Sequence, residues 1–198
     1  VGENLIDHVQ SRLTYGVRRR GTLNEVMASR LRTLMMGAGY LLRRRGIMAT
    51  PSATAHALVK GSASETRPSL KIQIHHLSGA DRYANTKGLG VDPFPGFSIG
   101  FFQLRPWSRG SVHAASPDPL AGPVIEPNYL DDLRDAGAML AALKLSRRVA
   151  AEAPLAGWIE RETRPGPEAQ SDDELLGYIR TNGQASWHPD GTLRMGRG

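Results

Sequence analysis

The feature that most constrains this chain is the order in which its strand-like and helix-like stretches follow one another. Leu70, Ile72 and Ile74 alternate with Lys71, Gln73 and His75, the period-two signature of a strand with one apolar and one polar side. Residues 97–104 form an apolar run of strand length, stopped by Arg105-Pro106. Residues 111–115 and 124–126 are shorter strand segments on either side of a Pro-rich turn. Turns or long loops, rather than helices, join most of these neighbours. A doubly wound parallel sheet needs a helical crossover between strands, so that architecture is excluded. The pattern predicts an α+β fold: a largely antiparallel sheet packed against helices, with 70–76 and 97–104 beneath a helix that begins near Asp132.

Three helical stretches carry start and stop signals. Thr22-Leu23-Asn24-Glu25 reads as a capping box, followed by Val26, Leu31, Leu34 and Met35 at helical spacing. Arg43, Arg44 and Arg45 fall in its last turn, where cations suit the helix dipole, and Gly46 can close it. Asp131 and Asp132 open the longest helix, with Met139, Leu140, Leu143 and Val149 on one side and Pro154 beyond its end. Ser171 and Glu174 form a second capping box, opening a helix that runs to about Arg180. Residues 47–69 and 164–170 read as irregular connections, and 78–96 as a long Gly/Pro/Asp-rich excursion.

Composition narrows the function classes. At 198 residues the chain suits one large domain or two small ones, and no apolar run reaches the length of a membrane span. The absence of Cys removes disulfides, thiolate metal sites and Cys nucleophiles together. The net charge of +6 is uneven, since residues 1–60 hold ten Lys/Arg against three Asp/Glu. A basic block of this kind attracts nucleic acid, an anionic membrane or an acidic partner. Aromatics are 6% and do not interleave with the basic residues, so no nucleic-acid platform is expected. The chain opens on Val1 without a signal-peptide pattern, which reads as an interior piece of a longer cytoplasmic protein, with peripheral membrane contact as a further expectation.

Several motifs fail the context their chemistry requires. Gly37-Ala38-Gly39 lies inside a helical pattern, and Gly88-Leu89-Gly90 leads into Val91-Asp92-Pro93. A phosphate cradle needs strand, Gly turn and helix N-terminus in that order. Gly96-Phe97-Ser98-Ile99-Gly100 matches the nucleophile-elbow pattern, and a serine hydrolase using Ser98 and His188 can be drawn from it. An elbow, however, needs a helix after the Ser, where Phe101-Phe102-Gln103-Leu104 continues as a strand. His75 and His76 are adjacent, so on a strand they face opposite sides, and no His/Asp/Glu spacing suits a metal. A non-catalytic basic module, bound through its first sixty residues, is the remaining alternative.

Trp187-His188-Pro189-Asp190-Gly191-Thr192-Leu193-Arg194-Met195-Gly196 is different. Pro189 holds His188 extended, and the glycines permit tight turns or close approach. An imidazole fixed in this way can act as a general base near neutral pH. From these residues alone, a surface-loop histidine is the plainer reading.

This segment resembles the H-P-x-G-T-x-x-M-G signature of the glucose–methanol–choline (GMC) oxidoreductases, flavin-dependent enzymes acting on alcohols. Two further stretches agree with it. Val1-Gly2-Glu3-Asn4-Leu5-Ile6-Asp7-His8 resembles the family's V-G-x-N-L-x-D-H. Arg105-Pro106-Trp107-Ser108-Arg109-Gly110, then Ser116-Pro117-Asp118-Pro119, Pro123-Val124-Ile125 and Pro127-Asn128-Tyr129-Leu130, resemble the block that opens its C-terminal domain. The resemblance implies a choline-dehydrogenase-like division of the chain. Residues 1–8 would be the tail of an FAD-binding segment, 9–180 the substrate-binding domain, and 181–198 a catalytic-histidine segment leading back to the FAD-binding part.

By the same resemblance, His188 takes the alcohol proton while hydride passes to flavin N5, and Trp187 stands at the substrate pocket wall. The cofactor is FAD, the substrate a small-molecule alcohol, and the partners are the missing FAD-binding segments of the same chain. The glycine fingerprint of the FAD-binding Rossmann part is absent from this stretch, and Leu193 stands where many members have Cys. The chain by itself is therefore expected neither to retain FAD nor to oxidise an alcohol.

Overall fold

The computed structural model describes residues 1–79 and 90–196. The expected excursion at 78–96 and the Gly88-Leu89-Gly90 pattern lie partly outside them. The elements in chain order are β1 (Glu3–Leu5), β2 (Val9–Val17), α1 (Leu23–Met27), α2 (Arg30–Arg43), β3 (Ala53–Val59), β4 (Leu70–His75), β5 (Gly96–Gln103), β6 (Gly110–His113), β7 (Val124–Glu126), α3 (Leu133–Ala151), β8 (Ile159–Arg164), α4 (Asp172–Asn182) and β9 (Gln184–Ala185). A six-stranded antiparallel sheet runs β3-β4-β5-β2-β8, with β9 also pairing β2. A second sheet, β1-β6-β7, is antiparallel too. The predicted α+β fold with an antiparallel sheet is the observed one.

Register explains why the large sheet has two unlike sides. Leu13 opposes Ile99, which opposes Ile74; Phe101 opposes Ile72. Directly opposed residues share a face, so these apolar side chains form one continuous surface. Met139, Ala142 and Leu143 of α3, with Leu175 and Ile179 of α4, cover it and complete the core. Asp132 caps α3 by accepting from the Arg134 N–H at 2.9 Å, and Ser171 and Glu174 form the second capping box at α4. The other face carries Gln10, Arg12 and Thr14 from β2, Gly100 and Phe102 from β5, and Lys71, Gln73 and His75 from β4.

Four local expectations need correction. The helix read from Thr22 to Gly46 is two helices: the capping box starts α1, but Ser29 restarts the chain by accepting from the Arg32 N–H. Leu31, Leu34 and Met35, read as a core-facing stripe, are exposed, and no residue of α2 is buried. The core face is already occupied by α3, so the stripe finds no partner among the described residues. Arg44, rather than Gly46, takes the left-handed closing position, with φ 51°. Finally, β3 falls in a stretch read as irregular, and neither the central β2 nor β8 carried an expectation. β3 is a small-residue edge strand with an exposed middle, and β8 is a charged edge strand tied to α3 by the Arg147–Glu162 pair at 2.7 Å. Charged edges resist further pairing, at the expense of a visible apolar pattern.

Candidate active site

Two motifs separated by about 180 residues lie side by side. β9 pairs with the start of β2 through Val9–Ala185 and Gln10–Gln184. The pairing then continues beyond the strands: the Ser186 N–H donates to the His8 carbonyl at 2.9 Å, Ile6 and Asp190 exchange bonds at 3.0 and 2.9 Å, and the Gly2 N–H donates to Thr192 at 3.0 Å. Gly191, at φ 90°, sits where a Cβ would collide with the Asn4 carbonyl oxygen, so only glycine allows this approach. The segment that carries His188 is thus a backbone-paired extension of the sheet, unlike an ordinary surface loop.

Asp7 is the joint. Its Oδ1 accepts from the backbone N–H of His8 at 2.7 Å and of His188 at 3.0 Å. Its Oδ2 accepts the Tyr129 hydroxyl at 2.7 Å. The carboxylate thereby connects all three stretches of the resemblance. Burial, and then the hydrogen bond to Asp7, push the Tyr129 phenol above its ordinary range, so it remains a donor. Trp187 has φ 59°, a left-handed conformation that costs a bulky residue about 1–3 kcal/mol. The turn it makes delivers the next N–H to Asp7.

The His8 ring adjoins that of His188, edge to face with centroids 5.5 Å apart. His8 Nδ1 lies 2.8 Å from the Gln103 carbonyl oxygen, which only accepts, so Nδ1 carries the proton. Burial chiefly, with the neighbouring His188 acting the same way, lowers the His8 pKa against the opposing effects of Gln103, Asp7 and Asp190. His8 therefore presents His188 with a neutral ring at neutral pH.

His188 and Trp187, both exposed, rim a cavity of about 270 Å³ on the polar side of the sheet, together with Gln10, Gln73, His75 and Phe102. Gly100 makes room there: a Cβ would sit 2.8 Å from Gln10 Nε2 and 3.0 Å from His75 Nε2. Gln10 Nε2 is buried without a hydrogen-bond partner among the described residues, a spare donor suited to a polar guest. His76 faces the other way, as expected, lining an apolar cavity of about 360 Å³ with Phe97 and Trp158.

The remaining sequence candidates fall elsewhere. Ser98 is fully buried, donates its hydroxyl to the Leu77 carbonyl at 2.8 Å, and stands within a strand. It does not line the cavity that His188 rims, and no elbow exists. Gly37 and Gly39 lie inside α2. Arg105–Gly110 proves to be a structural corner: buried Asp135 of α3 accepts the Trp107 and Ser108 N–H groups at 2.8 and 2.7 Å, and the Ser108 hydroxyl at 2.6 Å. Among the described residues no acidic and histidine cluster suits a metal ion, and no helix is long and apolar enough to cross a membrane. Asp7, Tyr129 and Gln10 are the site residues that sequence reasoning left without a role. Asp7 and Tyr129 stood inside quoted motifs, but their partner lay far away in the chain.

Comparison with known proteins points the same way. The chain is 32% identical over 197 residues to an alcohol dehydrogenase (acceptor) of Pseudomonas putida, a match covering 100% of this chain and 35% of that protein. It is 30% identical over 198 residues to an oxygen-dependent choline dehydrogenase of Chromohalobacter salexigens, covering 100% and 34%. Among solved structures, pyridoxine 4-oxidase from Mesorbium loti superposes with a TM-score of 0.73 at 25% identity, over 100% of this chain and 34% of that one. A formate oxidase of Aspergillus oryzae RIB40, bearing a mutation with an effect on FAD modification, shares the fold with a TM-score of 0.80 at 18% identity, over 98% and 38%. The chain thus spans about a third of the length of the relatives it matches. Residues 106–198 match the family described as GMC oxidoreductase, and the relatives above align along the whole of this chain.

Proposed function

We propose that this chain is the substrate-binding portion of an FAD-dependent alcohol oxidoreductase in which His188 is the catalytic base. Residues 9–180 would shape the alcohol site, and 181–198 would present His188 and Trp187 to it. The observation that carries this reading is the Asp7 clamp, which fixes the His188 backbone at the rim of a polar cavity and leaves its ring exposed. His188 takes the hydroxyl proton, which makes the alcohol a better hydride donor. Trp187 walls the substrate on one side, and the Gln10 amide donates a hydrogen bond into the cavity.

The exposed ring of His188, the aromatic Trp187 and the spare Gln10 donor fit the redox-active end of FAD. That group, when bound, supplies the hydride acceptor at N5. No strand–Gly turn–helix junction for its pyrophosphate occurs among the described residues, so the isolated chain is expected to purify without FAD. A yellow preparation with near-equimolar flavin would contradict that.

Stopped-flow reduction of the full-length enzyme, with flavin content checked first, tests the role of His188. His188→Ala is expected to slow flavin reduction by about 10²–10⁴-fold and to spare reoxidation. A reduction rate within about threefold of wild type, roughly 0.65 kcal/mol, would exclude His188 as the base.

A further inference from the structure

α2 combines two features that rarely occur together on a helix at a protein surface. Leu31, Leu34, Met35, Ala38, Leu41 and Leu42 recur at helical spacing and occupy one arc of about 120°. All six are exposed, Leu34 at 69% and Leu42 at 84%. The half-buried Met36, Gly37, Gly39 and Tyr40 lie outside that arc, so the helix turns its more apolar side outward. Arg30 borders the arc on one side and Arg32 and Arg43 on the other, while Arg44 and Arg45 extend the charge past the C-terminus. Residues 18–45 hold eight Arg against one acid, Glu25. An apolar stripe edged with guanidinium groups is the pattern of a helix lying in a membrane interface, its stripe among acyl chains and its cations at lipid phosphates.

We propose that α2 docks the enzyme on an anionic lipid surface. The charge pattern selects this occupant. A second copy of the chain would bring the same eight Arg against themselves, whereas an anionic bilayer complements both the stripe and its borders. Each Arg held near such a surface strengthens binding roughly fivefold at low salt. The inference does not depend on the role of His188.

The test is flotation of the full-length holoenzyme with phosphatidylcholine vesicles, with and without phosphatidylglycerol. Binding is expected only to vesicles containing phosphatidylglycerol and is expected to weaken with salt. The double variant Leu34→Glu, Leu42→Glu should lose at least about tenfold in affinity, and Arg43→Glu with Arg45→Glu should abolish the lipid preference. Because these side chains are exposed, flavin content and turnover of a water-soluble alcohol should stay at wild-type levels. The proposal is overturned if the holoenzyme ignores both vesicles or binds them regardless of these substitutions. It is also overturned if amide exchange shows α2 covered by another segment of the full chain without lipid, or if Leu34→Glu dissociates a dimer in solution.

Discussion

The two faces of the large sheet are built from the same strands and yet differ in almost every property. On one face Leu13, Ile72, Ile99 and Phe101 are buried under α3; on the other Gln10, Gln73, His75 and Gly100 floor the cavity that His188 rims. Alternation delivers both, since each strand contributes every second residue to each side. Beneath α3 and α4 the apolar face is satisfied within the chain, while its Ile74 and Phe97 end borders the apolar cavity beside His76. The polar face holds a spare donor and a glycine where a side chain would fill the space. The candidate site is the place where incomplete packing coincides with an unpartnered polar donor.

The contrast can be broken by measuring stability on each side. Phe101→Ala should cost about 3–5 kcal/mol, through lost burial and a cavity under α3. Gln10→Ala should cost less than about 1 kcal/mol, because it removes a donor that already lacks a partner. Denaturant unfolding of the chain reads both, and equal losses would erase the distinction. Between these extremes, Asp135→Ala should cost about 2–3 kcal/mol by stranding the Trp107 and Ser108 donors, marking that corner as structural.

The smallest effect is that of pH. Burial lowers the pKa of both His8 and His76, so the unfolded chain binds more protons as pH falls below the ordinary imidazole value of about 6.5. Stability should be complete above that value and decline as pH drops through the lowered folded values. His8→Gln should flatten part of that decline in unfolding curves, and an unchanged slope would place the titration elsewhere.

Legibility followed the same division. α3, α4, β4 and β5 announced themselves through capping residues and apolar periodicity that tertiary packing then used. β2 did not, because Gln10, Ser11 and Arg12 precede its apolar residues and both its faces are covered. β8, Ile159–Arg164, is charged nearly throughout, so its pattern records an edge position instead of burial. α2 misled for the opposite reason: its periodicity is genuine but faces outward. His188 was legible as a motif and plain as an isolated residue. Its tie to Asp7, 181 positions away, is a product of topology, and no local spacing encodes it.

Asp7 joins the N-terminal motif, Tyr129 and the His188 backbone, which makes it the positioning residue of the proposed site. Its most direct test is a double-mutant cycle on flavin reduction in the full-length enzyme, using Asp7→Ala, His188→Ala and the pair. Asp7→Ala alone should slow reduction by about 10–100-fold, because a displaced base loses its alignment with the alcohol. Added to His188→Ala, it should cost nothing further. Losses that multiply in the pair, or an Asp7→Ala enzyme that reduces its flavin at the wild-type rate, would contradict the account.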